Sequence, residues 1–338
     1  MVLSVIVMHS GVHAADQLSW AAVVLFFVSS GFLLSMKHPV ERPTIESCRS
    51  SWIHLARKVY PLHLLALAAL CLITWRIGAF TFTRALPLEA MLIQSWFPSR
   101  DIFLSYNKPS WFLATLLALY ALYPLLRSAL NHLSLRARVA TVIVFTTAMA
   151  VLMYSAPTGT LTYMHVCPLV RVGDFLWGMV AHDVWQSPQW QRYSARVSSN
   201  VLEIGAVALL CLFIFIDIAS DDALLAWNSN LLFWLPVSIL VLTCATSNRR
   251  EGIISRIMIH SPFTFFGGIS LELYLLHCPV AAFIGVVLPA ILEHWQLTLA
   301  VPGWTVVLTA LIIVSWVTNR VTQRIKRIKN KNKANVAL

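Results

Sequence analysis

The chain has 338 residues; 58% are hydrophobic, only 12% are charged, and the mean hydropathy is +0.73. A soluble domain carries about a quarter charged residues, so this composition excludes an ordinary water-soluble fold. The net charge of +11 does not mark a nucleic-acid binder, because the basic residues form no groove interleaved with aromatics.

Apolar runs of the roughly 17 to 25 residues needed to cross a bilayer recur along the chain. They are continuous rather than alternating, so they read as helices and not as barrel strands. Ten spans are predicted, at 1–14, 18–36, 59–77, 110–126, 139–155, 166–182, 200–218, 230–246, 264–292 and 303–319. The first, beginning MVLSVIVMHS, is short for a span and lacks the basic leader and small-residue cleavage site of a secretory signal. The piece at 78–109 is the longest between spans. Its LPLEAMLIQSWF stretch is apolar enough to lie on the membrane or re-enter it, and it is expected on the outer side.

Of the 25 Lys and Arg, all but Arg76, Arg84, Arg100, Lys108 and Arg171 fall in the alternate segments 37–58, 127–138, 183–199, 247–263 and 320–338. That bias is the positive-inside pattern and predicts both termini in the cytoplasm. The expected molecule is one all-α, multi-pass domain over 1–338. Its basic tail, 320–338, would be drawn to anionic membrane lipids. The six cysteines are scattered without paired spacing, so neither a disulfide frame nor a zinc site is indicated.

Ionisable groups inside spans are expensive and point to function by default. Five stretches carry them, and each has a plainer alternative. His9 and His13 stand one turn apart, but two histidines lack the further ligand and base of a zinc enzyme; His9 alone could be a hydrogen-bonded core residue. Ser29, Ser30 and Gly31 suit close helix packing as well as chemistry. Arg57 and Lys58 could be topology signals at a cytoplasmic boundary. Arg171 and Asp174 could neutralise each other as an i, i+3 pair. Ser270, Tyr274 and His277 share one helical face, with Glu272 directed to another helix and Pro279 loosening the backbone after His277.

In order and spacing these stretches resemble the acyltransferase-3 family of integral membrane proteins. The first apolar helix ends in His9. VLFFVSSGFLLS is similar to the family's FFVxSGFLI, and KVYP at 58–61 to its RIxP. PSWFLATLLALYALYP, RVGDFLWGM and GGISLELYLLH follow in the family's order. The chain departs from the pattern as well. The Arg usual eleven residues before the histidine would precede residue 1, so the first helix is read as shortened. Lys58 stands for the usual Arg, and Val24, Leu116 and Leu271 replace the common Asp, Glu and Tyr.

The resemblance implies transfer of an acyl group, most often acetyl from acetyl-CoA, to a hydroxyl of a surface or exported polysaccharide or a lipid-linked sugar. A bacterial inner or cytoplasmic membrane is the implied setting, and no permanently bound cofactor is expected. It gives His9 the role of general base or transient acyl carrier, a role the near-neutral imidazole suits. Arg57 and Lys58 would meet the phosphates of coenzyme A. Arg171 would stand near the thioester oxygen or a partner carboxylate. Ser30, Trp111 and His277 would be packing, acceptor or anchoring groups, and Ser270, Tyr274 and His277 would line an inner water-filled cavity. Two other readings stay open. One is a transporter or flippase, which predicts discontinuous helices and inverted repeats; the sequence shows no repeat. The other is a truncated relative without catalysis.

Overall fold

The structure is a computed structural model that describes residues 6, 16–38, 44–157, 160–219, 223–247, 252–294 and 303–336. Among the described residues, the regular elements are all helices. In chain order the elements are α1 (Asp16–Lys37), α2 (Ile45–Arg76), α3 (Ala85–Ala90), a 3-10 turn (Gln94–Trp96), α4 (Arg100–Phe103), α5 (Ser110–Asn131) and α6 (Leu135–Ser155). There follow α7 (Leu161–Val166), α8 (Pro168–Gln186), α9 (Pro188–Arg196), α10 (Ser199–Ala219), α11 (Ala223–Ser247), α12 (Ile253–Met258), α13 (Ser261–Gly268), α14 (Ser270–His294) and α15 (Gly303–Val336).

Among the described residues, seven of these helices are long and apolar enough to cross a membrane: α1, α2, α5, α6, α10, α14 and α15. The α8 helix falls outside that group because Arg171, Asp174 and Asp183 lie along it. In α11 the apolar stretch is the shorter Leu231–Ser247. The predicted first span, 1–14, lies outside the described residues apart from Ile6, which is buried in the core.

Four predicted boundaries are corrected. The run at 264–292 is two helices, α13 and α14, broken at Ile269. The Gly267–Gly268 pair before it is poor helix sequence, and the Gly268 carbonyl accepts from Asn319 Nδ2 at 3.0 Å. The run at 166–182 begins only at Pro168, a proline at the first helical turn, where its missing N–H costs nothing. The span expected at 59–77 starts much earlier, because Thr44 and Ser47 form a reciprocal capping box that opens α2 at Ile45. The basic tail is not a loop: α15 continues through it to Val336.

The helices pack in the succession α15, α14, α2, α5, α8, α1, α11, α10, each against the next. The tightest joint is α1 against α8. A Cβ on Gly31 would strike the Phe175 carbonyl, and one on Gly178 would strike the Val28 carbonyl. The two backbones therefore touch through reciprocal glycines, the close approach that small residues allow between membrane helices. Near the first of these contacts, the Gly173 hydrogen leaves room for the buried Trp234 ring.

A polar clamp closes the end of the bundle that carries the basic segments. Arg127 of α5 holds Asp183 of α8 in a two-pronged pair at 2.8 and 2.9 Å, and Arg138 of α6 adds a third contact at 2.8 Å. Both arginines and the acid are largely buried. Their geometry matches the fork of the guanidinium.

Candidate functional site

The break at Ile269 shapes a pocket at the basic end. Arg57 and Lys58 of α2 face Gly268, Ser270 and Glu272 across about 460 Å³, with Asn319 of α15 closing the far side. Asn319 Nδ2 donates both to the Gly268 carbonyl and to Glu272 Oε1, the latter at 2.8 Å. Glu272 thus meets another helix, as its position on α14 predicted. A neighbouring groove of about 560 Å³ shares Arg57 and Lys58 and adds Arg49 and His54. Both shared cations are exposed, so the pocket offers mobile positive charge to an anion entering from solution.

A second centre lies near the start of α8. Arg171 has no exposed surface. Its Nη1 donates to Asp174 Oδ2 at 3.2 Å, its Nε to the His165 carbonyl at 2.6 Å, and its Nη2 meets His165 Nδ1 at 2.7 Å. A guanidinium only donates, so His165 Nδ1 must accept, and a neutral ring carries its proton on Nε2. The Phe27 and Trp111 rings lie 5.4 and 5.8 Å from the guanidinium carbon, within cation–π range. Trp20 and Trp111 flank the His165 ring at 4.3 and 4.9 Å. Arg171 and Asp174 do pair, but the arginine also fixes the tautomer of a histidine.

His165 was missed by sequence reasoning. It lies six residues before Arg171, one residue outside the predicted span, and a polar residue at that border looked like loop. The contact forms across the Cys167 junction between α7 and α8, where the Arg171 guanidinium meets both the carbonyl and the ring of His165.

The third part is the segment 85–109, which re-enters the bundle. Tyr60 Oη donates to the Met91 carbonyl at 2.7 Å, and His63 Nε2 donates to the Glu89 carbonyl at 2.9 Å. Sixteen residues of helix, about 24 Å of rise, separate Tyr60 from Arg76 at the end of α2, so the segment reaches deep. Glu89 organises it. Its Oε1 accepts from the Asn107 backbone N–H and the Ser110 hydroxyl, both at 2.9 Å, and its Oε2 lies 2.8 Å from Ser105 Oγ. Gln94 Nε2 donates to Ser110 Oγ at 2.9 Å. Burial pushes the Glu89 carboxyl above its ordinary value, against the pull of its three hydrogen bonds.

The structure brings Arg57, Lys58 and Ser270 together at the basic pocket, and Arg171 and Trp111 together at the buried centre. Tyr274 and His277 do not line the basic pocket. Tyr274 Oη donates to the Pro109 carbonyl at 2.9 Å, and His277 Nδ1 donates to the Tyr274 carbonyl at 2.7 Å. Packed rings separate the two groups: Tyr274 against Phe112 at 5.3 Å, and Phe112 against Phe27 at 4.6 Å. Ser30 turns its hydroxyl onto its own helix, donating to the Phe26 carbonyl at 2.7 Å. His9 and His13 lie outside the described residues. Among the described residues no group of three His, Cys, Asp or Glu is placed to hold a metal ion.

Residues 1–320 match the family model described as an acyltransferase domain, that of acyltransferase-3. The chain is also similar to the acyltransferase MdmB of Streptomyces mycarofaciens, at 28% identity over 204 residues. That alignment covers 55% of this chain and 51% of the relative, so the chain spans about half the length of the curated relative it matches. No solved structure matches the chain.

Proposed function

The chain belongs to the acyltransferase-3 family, and from that premise we propose that it is a multi-pass membrane O-acyltransferase that moves acetyl from acetyl-CoA to a sugar hydroxyl. The acceptor in this reading is a surface or exported polysaccharide or a lipid-linked glycan, and the membrane is a bacterial inner membrane. The observation that carries the reading is the convergence of Arg57 and Lys58 with Ser270 in one pocket, although these residues are distant in sequence. A cluster of mobile cations is what the phosphates of coenzyme A require, and the positive-inside pattern puts that end, with both termini, in the cytoplasm.

In the transfer, the acceptor oxygen attacks the thioester carbonyl, a C–O bond forms, the C–S bond breaks, and coenzyme A leaves as the thiol. The hydroxyl proton passes to a base, the role we assign to His9. Arg171 is the fixed positive charge beside the developing oxyanion, effective because its surroundings exclude water. The Tyr274, Phe112 and Phe27 rings stand between the donor pocket and Arg171, so transfer requires them to part. A transporter reading gains from the helix break at Ile269, but it gives no role to a cationic pocket at one end.

The test is base-labile acetate on the cell-envelope glycan, measured in cells with the gene and without it. Radiolabelled acetyl-CoA supplied to inverted membrane vesicles should label the same glycan. Equal acetate in both strains, with no label transferred, overturns the proposal.

A further inference from the structure

At the end opposite the basic pocket, a cavity of about 420 Å³ is lined by Arg100, Asp101, Leu104, Ser105, Lys108 and Trp111. Its size falls within the roughly 300–1,000 Å³ of small-molecule sites. The two cations outnumber the one acid, Ser105 and Asp101 offer hydrogen-bonding oxygens, and Trp111 supplies an aromatic wall. This combination differs from that of the donor pocket, which has no aromatic side chain.

The cavity is held in shape from behind. Ser105, Asn107 and Ser110 all bond the buried Glu89 carboxyl, so the stretch that carries Lys108 and Trp111 is tied down on both sides. Ser95 Oγ donates to the Trp111 carbonyl at 2.9 Å, and Asn107 Nδ2 donates to the Leu275 carbonyl at 3.2 Å. Trp111 is also the partition between the cavity and the buried centre: its ring lies 5.8 Å from the Arg171 guanidinium carbon and 4.9 Å from the His165 ring. An occupant of the cavity would be one side chain away from both groups.

We propose that this cavity is the acceptor subsite and that it takes an anionic sugar. A carboxylate or phosphate on the sugar would pair with Arg100 and Lys108, its hydroxyls would meet Asp101 and Ser105, and its ring would lie against the exposed part of Trp111. The inference rests on the acyltransferase reading for the word acceptor, and on the cavity alone for the preference for negative charge. The paired cations discriminate here: an uncharged sugar would leave them with water, whereas an acidic one gains charge-assisted hydrogen bonds to both.

The experiment titrates the full-length protein in lipid nanodiscs with three probes, cellobiouronic acid, glucose 6-phosphate and neutral cellobiose, followed by saturation-transfer NMR. At least one acidic probe is expected to bind about tenfold or more tighter than cellobiose, and which one does separates carboxylate from phosphate. The double variant Arg100→Gln/Lys108→Gln should erase that preference, with thermal melting confirming that it is folded. Coenzyme A binding by the same discs should be unchanged in the variant. Equal binding of acidic and neutral probes, or a preference that survives the double substitution, overturns the proposal. Failure of the unaltered protein to bind coenzyme A instead overturns the acyltransferase reading, while the sugar titration still decides the charge preference by itself.

Discussion

Replacing Glu89 by alanine should destabilise the protein far more than replacing it by glutamine, and the reason lies in where one proton sits. Ser105 Oγ lies 2.8 Å from Glu89 Oε2 and 2.8 Å from the Ile102 carbonyl, and a hydroxyl has one proton to give. If Glu89 is protonated, its Oε2–H donates to Ser105 and Ser105 donates to Ile102, so every group is served. Burial favours that neutral form by raising the carboxyl above its ordinary value of 4.5. Glutamine reproduces the pattern: its oxygen accepts from Asn107 N–H and Ser110, and its amide donates to Ser105. The Glu89→Gln protein should therefore melt close to the parent, within about 1 kcal/mol. Alanine leaves the buried Asn107 N–H and the Ser110 hydroxyl without their acceptor. At about 1–3 kcal/mol for each of these two orphaned groups, the loss should be about 2–6 kcal/mol. The pH dependence has a defined sign. A carboxyl with a raised folded-state value contributes its full stability below 4.5 and loses it as pH rises through that folded-state value. The parent should therefore lose stability over that range while Glu89→Gln stays flat. Unfolding in detergent micelles, followed by tryptophan fluorescence from pH 4 to 8, measures both effects. If glutamine is as damaging as alanine, the group is an anion in the fold and the proton assignment is wrong.

Gly178→Ala should drive α1 and α8 apart, because the new methyl meets backbone rather than a movable side chain. A loss of about 1–3 kcal/mol is expected in the same melt, and an unchanged melting temperature would contradict the contact. Asp183→Ala leaves the Arg127 and Arg138 guanidinium groups buried without their carboxylate, for which about 3–5 kcal/mol is typical. The Asn131 side chain and the Leu130 and Leu133 carbonyls remain to accept from them; Asp183→Asn should recover part of the loss, and expression and melting will show it. Neutralising Arg57 and Lys58 together should raise the apparent KM for acetyl-CoA about tenfold or more and leave kcat within a few-fold. Dephospho-coenzyme A should lose less affinity than coenzyme A in the same variant, because it has one phosphate fewer to lose. His165→Ala should lower kcat with little change in KM, since the ring sits on Arg171 and away from the donor pocket, and steady-state kinetics in vesicles separates the two parameters.

The all-helical architecture was legible in the sequence because hydrocarbon leaves the backbone few alternatives. Helix ends were less legible. The apolar run at 264–292 gave no hydropathy signal of its break, and the clue was the Gly267–Gly268 pair, which is ambiguous in a membrane helix. The α8 helix was foreseen, but its partner group His165 was not, since nothing in a linear pattern says that a guanidinium will meet a ring six residues before it across a helix junction. Arg57, Lys58 and Ser270 were each suspected from the cost of polarity in a span, and the structure adds that they share one pocket. The reverse holds for Tyr274 and His277. Their spacing puts them on one face, but the Tyr274 hydroxyl donates to the Pro109 carbonyl and His277 bonds the Tyr274 carbonyl of its own helix, destinations that spacing does not encode. Glu89 escaped notice because one acid in a short apolar segment looks like a surface residue until the segment is seen to dive inward.

The glycine contact between α1 and α8 limits how this molecule can move. Two main chains touching without side chains between them cannot slide by a residue, because each step would drive a Cβ into a carbonyl. The pair must travel as one rigid beam that carries Ser30 at one joint and Arg171 near its far end. Any opening that lets a ligand approach the buried guanidinium must then come from the walls around the beam: from α14, separated from α13 by the break at Ile269, or from the inserted segment whose hydrogen bonds gather on the Glu89 carboxyl.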